Sequence, residues 1–281
     1  MILVLGATGN VGGHVARQLI DAGERPRVFV RDARKAAVLE GRADVALGDL
    51  DDAASLRAAT RGIERIFLMA AGAALAAQEA KAIAAAVEAG VRHVVKLSVI
   101  TAEEPTFTFA EWHHESERRL MDSGLAWTMV RPSNYMTNSL GWAESIRAQG
   151  TYYEPTGTGR WASIAPEDVA AVAVRALTMP DHEGQAYTLT GRESRDGAGY
   201  ATLLAEAIGR PVRHVDVPPE AAREAMRQTS MAPDYLEAVL DLLAAMKAGR
   251  LDIVTDGVER VLGRPPTTFE AWARRNAAAF R

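Results

Sequence analysis

Short apolar runs alternate, over the first 131 residues, with stretches whose apolar positions recur every three or four residues. Residues 2–5, 27–30, 45–47, 63–69, 91–99 and 127–130 read as strands, and 11–22, 55–60, 78–89 and 110–123 as helices. Glycines at 23, 90 and 124 close three of those helices. Alternation at this spacing predicts an α/β fold, a doubly wound parallel sheet with helices on both faces and right-handed crossovers. The rhythm changes after Arg131-Pro132. Residues 150–159 are rich in Gly, Pro, Thr and Tyr and read as turns and short extended pieces. Helices are expected over 166–178, 202–208, 219–227, 235–247 and 269–280, and a strand over 185–190. Residues 133–281 are read mainly as a smaller mixed α/β lobe packed on a core of residues 1–132, within one domain.

Composition narrows the classes. Of 281 residues, 48% are hydrophobic, enough for a large core. A net charge of −4 gives no electrostatic case for nucleic acid or an anionic membrane. The absence of cysteine excludes disulfides, thiolate metal sites and a cysteine nucleophile. The longest near-apolar stretch, 66–77, falls short of the ~20 residues of a membrane span. Met1-Ile2-Leu3-Val4-Leu5 is too short for a signal-peptide core and has no basic lead-in. A cytoplasmic protein is expected, monomer or homodimer, acting on a small molecule. Abundant alanine and a strong preference for arginine over lysine fit a GC-rich bacterial genome.

The turn Gly6-Ala7-Thr8-Gly9-Asn10-Val11-Gly12 follows the first strand and opens the first helix. A pyrophosphate needs backbone N–H groups aimed at it and a positive helix end beneath it. Gly6 permits the sharp turn, Gly9 the approach of the phosphate, and Gly12 close packing of helix on strand. Gly6, Thr8, Gly9, Asn10, Val11 and Gly12 are therefore the candidate phosphate cradle of an NAD(P)-binding Rossmann fold; the plainer reading is a structural glycine turn. After the second strand come Arg31 and Asp32. An acid there holds the ribose hydroxyls of NAD, whereas an arginine pairs with the 2′-phosphate of NADP. Arg31 stands first and Arg34 and Lys35 follow, so NADP(H) is expected, with NAD(H) left open. Asp49 is expected beside the adenine, and Asp51 or Asp52 as a helix cap.

The G-x-x-G-x-x-G spacing resembles the extended and atypical short-chain dehydrogenase/reductases. With GATGNVGG, VRD, GDLDD, HVVKLS, HHESERRLMDSGLAWTMVRPSNYMTN, PEDVAAVA, AYTLTG, AIGRPVRHVDVP and GRPPTTFEAWA, the chain resembles the NmrA-like branch of that family, close to bacterial NAD(P)H quinone and azo-type reductases. Residues 192–199 depart from the family pattern.

Ordinary members reduce through Tyr-x-x-x-Lys, and no tyrosine here has lysine four residues on. By resemblance His113 and Glu117, four apart on one helical face, stand at those positions. Two readings stay open: His113 is the proton donor, or it lines the pocket while Glu117 makes a structural hydrogen bond. With His114 and Glu115 they offer no third metal ligand, so no metal is expected. Ser98 matches the family's active-site serine or threonine. Lys96 is a charge inside a central strand, costly unless it is paired or reaches the site edge, and a ribose-side or supporting role is expected. His113, Ser98 and Lys96 are thus the catalytic candidates. Pro132 should border the nicotinamide, and Asn134, Tyr135, Met136 and His113 the substrate. Among Tyr135, Met136, Trp142, Tyr152, Tyr153 and Trp161, half are expected to touch substrate and half to be core. The expected activity is NADPH-dependent hydride transfer to a planar conjugated acceptor, quinone-like or polyketide/aromatic. The alternatives are a non-catalytic NAD(P) sensor of NmrA type and a biosynthetic enone or imine reductase.

Overall fold

A computed structural model describes residues 1–39 and 41–281. Its strands are β1 (Ile2–Val4), β2 (Arg27–Val30), β3 (Asp44–Leu47), β4 (Arg65–Leu68), β5 (His93–Leu97), β6 (Ala126–Pro132), β7 (Thr151–Glu154), β8 (Gln185–Leu189) and β9 (Arg213–Asp216). Seven of them form one sheet in the order β3-β2-β1-β4-β5-β6-β8. The pairings from β3 through β6 are parallel, as the apolar runs predict. The order reverses at β1, with β2 on one side and β4 on the other. That switch point is where open parallel sheets open a crevice at their strand C-terminal ends.

The chain divides into two compact units. The first comprises Met1–Glu104, Ala110–Arg131 and Pro166–Thr188 and carries the sheet. Its helices are α1 (Gly12–Asp21), α2 (Ala53–Thr60), α3 (Leu75–Glu88), all but the first two residues of α4 (Thr108–Met121), and, after α5 (Ala143–Gln149) of the second unit, α6 (Pro166–Thr178). Every residue of β5 is buried, whereas the edge strand β3 alternates and leaves Val45 and Leu47 exposed. One face of the sheet packs Leu3, Leu5, Ile66, Leu68 and Val94 against Leu56 of α2, Ile83 of α3 and Leu120 of α4. α1 packs on α6, and Gln18 Nε2 donates to Glu167 O at 3.0 Å.

The sheet unit is thus not confined to residues 1–132: it takes Pro166–Thr188 as well. α6 carries a buried stripe of Val169, Val172, Ala173, Ala176 and Leu177, which needs an apolar partner, and α1 supplies one.

The second unit comprises Pro105–Phe109, Pro132–Ala165 and Leu189–Arg281. It holds α5, α7 (Gly197–Ile208), α8 (Pro219–Arg227), α9 (Pro233–Lys247), α10 (Gly257–Leu262), α11 (Phe269–Arg275) and a two-stranded parallel sheet of β7 and β9. Its aromatic core runs Trp161–Tyr200–Phe269–Trp272–Phe280. One reading is sharpened here and two are corrected. Residues 150–159 contain β7, because Arg213–Asp216 supplies a partner distant in sequence. The helix expected from 202 begins at Gly197, where Asp196 caps it by accepting from Gly199 N. The helix expected over 269–280 stops at Arg275, and Ala277–Ala279 is a separate 3-10 turn. Among the described residues, no helix is long and apolar enough to cross a membrane.

Candidate functional site

The glycine turn has the geometry its spacing implies. Gly6 lies at φ +67°, a conformation that favours glycine, and Gly9 N donates to its carbonyl at 2.9 Å. A Cβ on Gly12 would fall 2.2 Å from Gly6 O, so only glycine lets α1 sit this close to the turn. The first turn of α1 has no acidic residue and no side-chain cap, while Thr8, Gly9 and Asn10 are exposed at the tip. Backbone N–H groups and a positive helix end therefore face an open approach, which fits a pyrophosphate.

A groove of about 260 Å³ continues from this turn past Arg31, Asp49, Met69, Ala70 and Gln78. Asp32 is turned to Arg34, whose guanidinium donates to both carboxylate oxygens and whose N–H adds a third bond; these hold the carboxyl below its usual range. Arg31 is exposed on the groove, and among the described residues no ion pair holds it. The acid is thus partnered and the first arginine presented, the arrangement a 2′-phosphate requires. Asp49 Oδ1 accepts from Asp51 N at 2.9 Å. Asp52 caps α2 through Ala54 N, whereas Asp51 pairs with Lys81 and Gln78.

Behind the C-terminal ends of β4 and β5 lie two buried polar clusters. In the first, Lys96 Nζ donates to Glu79 Oε2 at 2.6 Å, to Leu97 O at 3.2 Å and to His113 Nδ1 at 3.2 Å. Ser116 Oγ donates to the same Glu79 oxygen, and Ala70 N, in the wall of the groove, donates to Glu79 Oε1 at 3.0 Å. Lys96 and Glu79 side chains are both 0% exposed. His113 is partly exposed. Burial, and then the Lys96 charge, hold its imidazole well below the ordinary histidine value, so it is neutral at neutral pH. In the second cluster Ser98 Oγ donates to Glu117 Oε1 at 2.5 Å, and Arg131 binds both Glu117 oxygens at 2.9 and 2.7 Å.

These contacts decide between several expectations. Glu117 makes the structural hydrogen bonds of the plainer reading. The Ser98 hydroxyl is engaged by Glu117 inside the protein instead of being presented to a ligand. All three N–H groups of the Lys96 ammonium are taken, so the expected ribose contact is replaced by support of His113. Among the described residues no cluster of three or more His, Asp or Glu is placed to hold a metal, and His114 Nδ1 lies 2.8 Å from Ala102 O. Glu79 and Ser116 were not singled out in the sequence. The signal for Glu79 was a charge on the buried stripe of α3, with Ala76, Ala82, Ile83 and Ala86.

In the second unit, Asn134 Oδ1 accepts from Asn138 at 2.7 Å and Tyr135 bridges to Ile164, its phenol pushed up by burial. Met136 is 1% exposed and lines a pocket of about 90 Å³ that also includes the exposed Arg192 and Glu193. Tyr152 and Trp161 are core, the former stacked on Trp142 at 4.0 Å, while Tyr153 is exposed with its hydroxyl on Gln149.

A switch-point crevice with an uncapped glycine turn, a presented arginine and a histidine backed by a buried lysine defines a dinucleotide-dependent oxidoreductase of the Rossmann class. A family profile described as NAD(P)H-binding matches residues 6–180, and the chain belongs to that family. It is 40% identical, over its whole length and 99% of the relative's, to NAD(P)H azoreductase of Xenophilus azovorans. It is 38% identical, over its whole length and 99% of the relative's, to (4-alkanoyl-5-oxo-2,5-dihydrofuran-3-yl)methyl phosphate reductase of Streptomyces griseus. The solved NADPH complex of the quinone oxidoreductase QOR2 from Escherichia coli superposes with a TM-score of 0.90 at 27% identity, covering 98% of this chain and 99% of the other. The expected kinship with bacterial quinone and azo-type reductases holds, and with it an NAD(P)H-dependent oxidoreductase.

Proposed function

We propose that this protein is a cytoplasmic reductase that uses NADPH to reduce planar conjugated acceptors, of quinone or azo type. The observation that carries the reading is the replacement of the Tyr-Lys pair by a neutral His113 and by a Glu117 locked onto Arg131. Reduction of a simple ketone needs a strong, well-placed acid for its alkoxide. A quinone or azo acceptor delocalises the charge it gains, and so tolerates a weak donor. Gly6, Thr8, Gly9, Asn10, Val11 and Gly12 would hold the pyrophosphate, Arg31 the 2′-phosphate and Asp49 the adenine side, with Pro132 toward the nicotinamide. Bound NADPH supplies the hydride. The chain supplies placement, and His113, Asn134 and Tyr135 are its candidates for the acceptor side.

A second reading, reduction of a conjugated enone, is favoured by the relative named for an alkanoyl-oxo-dihydrofuranyl phosphate. NADPH oxidation with a matched panel of quinones, azo dyes, enones and saturated ketones tests both. Turnover of quinones or azo dyes above enones supports the first, and activity confined to enones the second. Turnover of saturated ketones alone would remove both.

A further inference from the structure

Lys96 is a fully buried cation in the middle of a parallel sheet, paired across the register with Leu68 and Met129. Such a charge is costly, and a hydrophobic residue in its place is often no less stable. Stability alone therefore does not account for it, and its contacts point elsewhere. An ammonium has three donors and no acceptor. Here three acceptors surround it: Glu79 Oε2, Leu97 O and His113 Nδ1. Since Lys96 can only donate, His113 Nδ1 must accept, and the single ring proton of the neutral imidazole sits on Nε2. Nε2 has no partner among the described residues, and the ring is partly exposed. Glu79 completes the chain, one oxygen holding Lys96 and the other the Ala70 amide in the wall of the dinucleotide groove.

We infer that His113 works as a neutral Nε2–H donor backed by Lys96, a proton relay whose geometry Glu79 fixes to the wall of the cofactor groove. As the reduced acceptor's oxygen or nitrogen takes the Nε2 proton, Nδ1 takes one from Lys96 Nζ. The imidazole stays neutral throughout, in its other tautomer, and Lys96 is left as an amine. Uptake of one solvent proton at Nε2, with return of the Nδ1 proton to Nζ, restores the starting state. The balance is one hydride from NADPH and one proton from solvent per acceptor reduced. His113 is the catalytic residue; Lys96 and Glu79 are positioning residues. The charged groups facing the ring are few: Lys96 from β5, with Glu79 of α3 behind it. On α4 itself Ser116 bonds Glu79, and Glu117 is turned to Ser98 and Arg131.

The relay rests on the reductase reading only for its activity readout; the tautomer is measured without any acceptor. Nitrogen-15 NMR of the six histidines, with the His113 signals assigned by their loss in His113→Gln, should show the neutral Nε2–H tautomer from about pH 5.5 to about 9. In Lys96→Met that ring should become a tautomer mixture and titrate nearer the ordinary histidine range. If removing one charge unfolds the protein, Lys96→Met/Glu79→Gln removes both and carries the same expectation. With the best acceptor found, His113→Gln and the folded lysine variant should each lose roughly 10²-fold or more in rate. The lysine variant should also acquire a histidine-like pH profile that the parent lacks. A His113 that titrates near the ordinary value in the parent, or holds its proton on Nδ1, overturns the relay whatever the protein reduces. So does an unchanged tautomer and rate in the folded lysine variant. Absence of turnover with every acceptor, with the tautomer as expected, counts against the reductase reading and leaves the donor geometry standing.

Discussion

The glycine turn and the Lys96 cluster both sit at the C-terminal ends of the sheet strands, but they are made of different material. The turn is backbone: its donors are N–H groups, its tip is exposed, and its shape follows from Gly6 at positive φ and from Gly12 packed on Gly6 O. The Lys96 cluster is side chain. It joins α3, β5 and α4 through buried charges 2.6 Å apart, and Lys96, Glu79, His113 and Ser116 are bonded to one another. A site made of backbone tolerates side-chain change around it and fails when a Cβ enters. A site made of buried charge tolerates coordinated change and fails when one partner is lost.

The largest expected effect tests the second half of that contrast. Lys96→Met alone leaves Glu79 buried without its cation and should destabilise the protein by about 3–5 kcal/mol, read from urea unfolding. Lys96→Met/Glu79→Gln should recover most of that loss. Equal destabilisation by the single and the double variant would mean that Lys96 acts through packing and not through charge. Next comes the turn. Gly9→Val places a side chain in the phosphate's approach, where the Cβ itself meets only Gly6 O at 3.3 Å and Met69 Cε at 3.8 Å. NADPH affinity should fall by at least roughly 100-fold, with the circular dichroism spectrum unchanged. Calorimetry showing retained affinity in the folded variant would move the phosphate elsewhere.

Arg31→Ala should be smaller and selective. One charge-assisted phosphate contact is worth roughly 1.5–3 kcal/mol, lost for NADPH and kept for NADH. Cofactor fluorescence titrations decide it, and parallel losses for both dinucleotides would exclude the 2′-phosphate role. The smallest effect contrasts the two units. Burial raises the Glu154 carboxyl in the second unit to about 7 from an ordinary 4.5, against a smaller opposing effect of the Trp142 Nε1–H bond. The folded state then binds a proton that the unfolded state has released, so stability falls as pH rises between those two values. Melting should be lower at the upper end of that window, and Glu154→Gln should flatten the difference. An unaltered pH slope in the variant would show that Glu154 carries no proton there.

How much could be read in advance differs along the same line. Several local contacts were legible: the turn from its glycine spacing, and the α2 cap from Asp51-Asp52, of which Asp52 makes it, although the equally local Asp196 cap of α7 was missed. Lys96 was marked as a charge that needed a partner, but its partner lies 17 residues earlier, on helix α3. Residues 150–159 were read as turns and short extended pieces; that one such piece pairs as strand β7 depends on β9, some sixty residues away. Tyr152 and Trp161 were equally credible as pocket and as core, and burial made them core.

By itself, then, the sequence determined the strand–helix alternation, the parallel sheet and the dinucleotide turn, because hydrophobic period and glycine conformation act within a few residues. Tertiary structure decided that Glu117 and Ser98 bind each other, and that Lys96 is enclosed by Glu79, the Leu97 carbonyl and His113. Those outcomes depend on which side chains from distant segments share one buried, low-dielectric space, where each charge and each hydrogen-bond donor must find a partner.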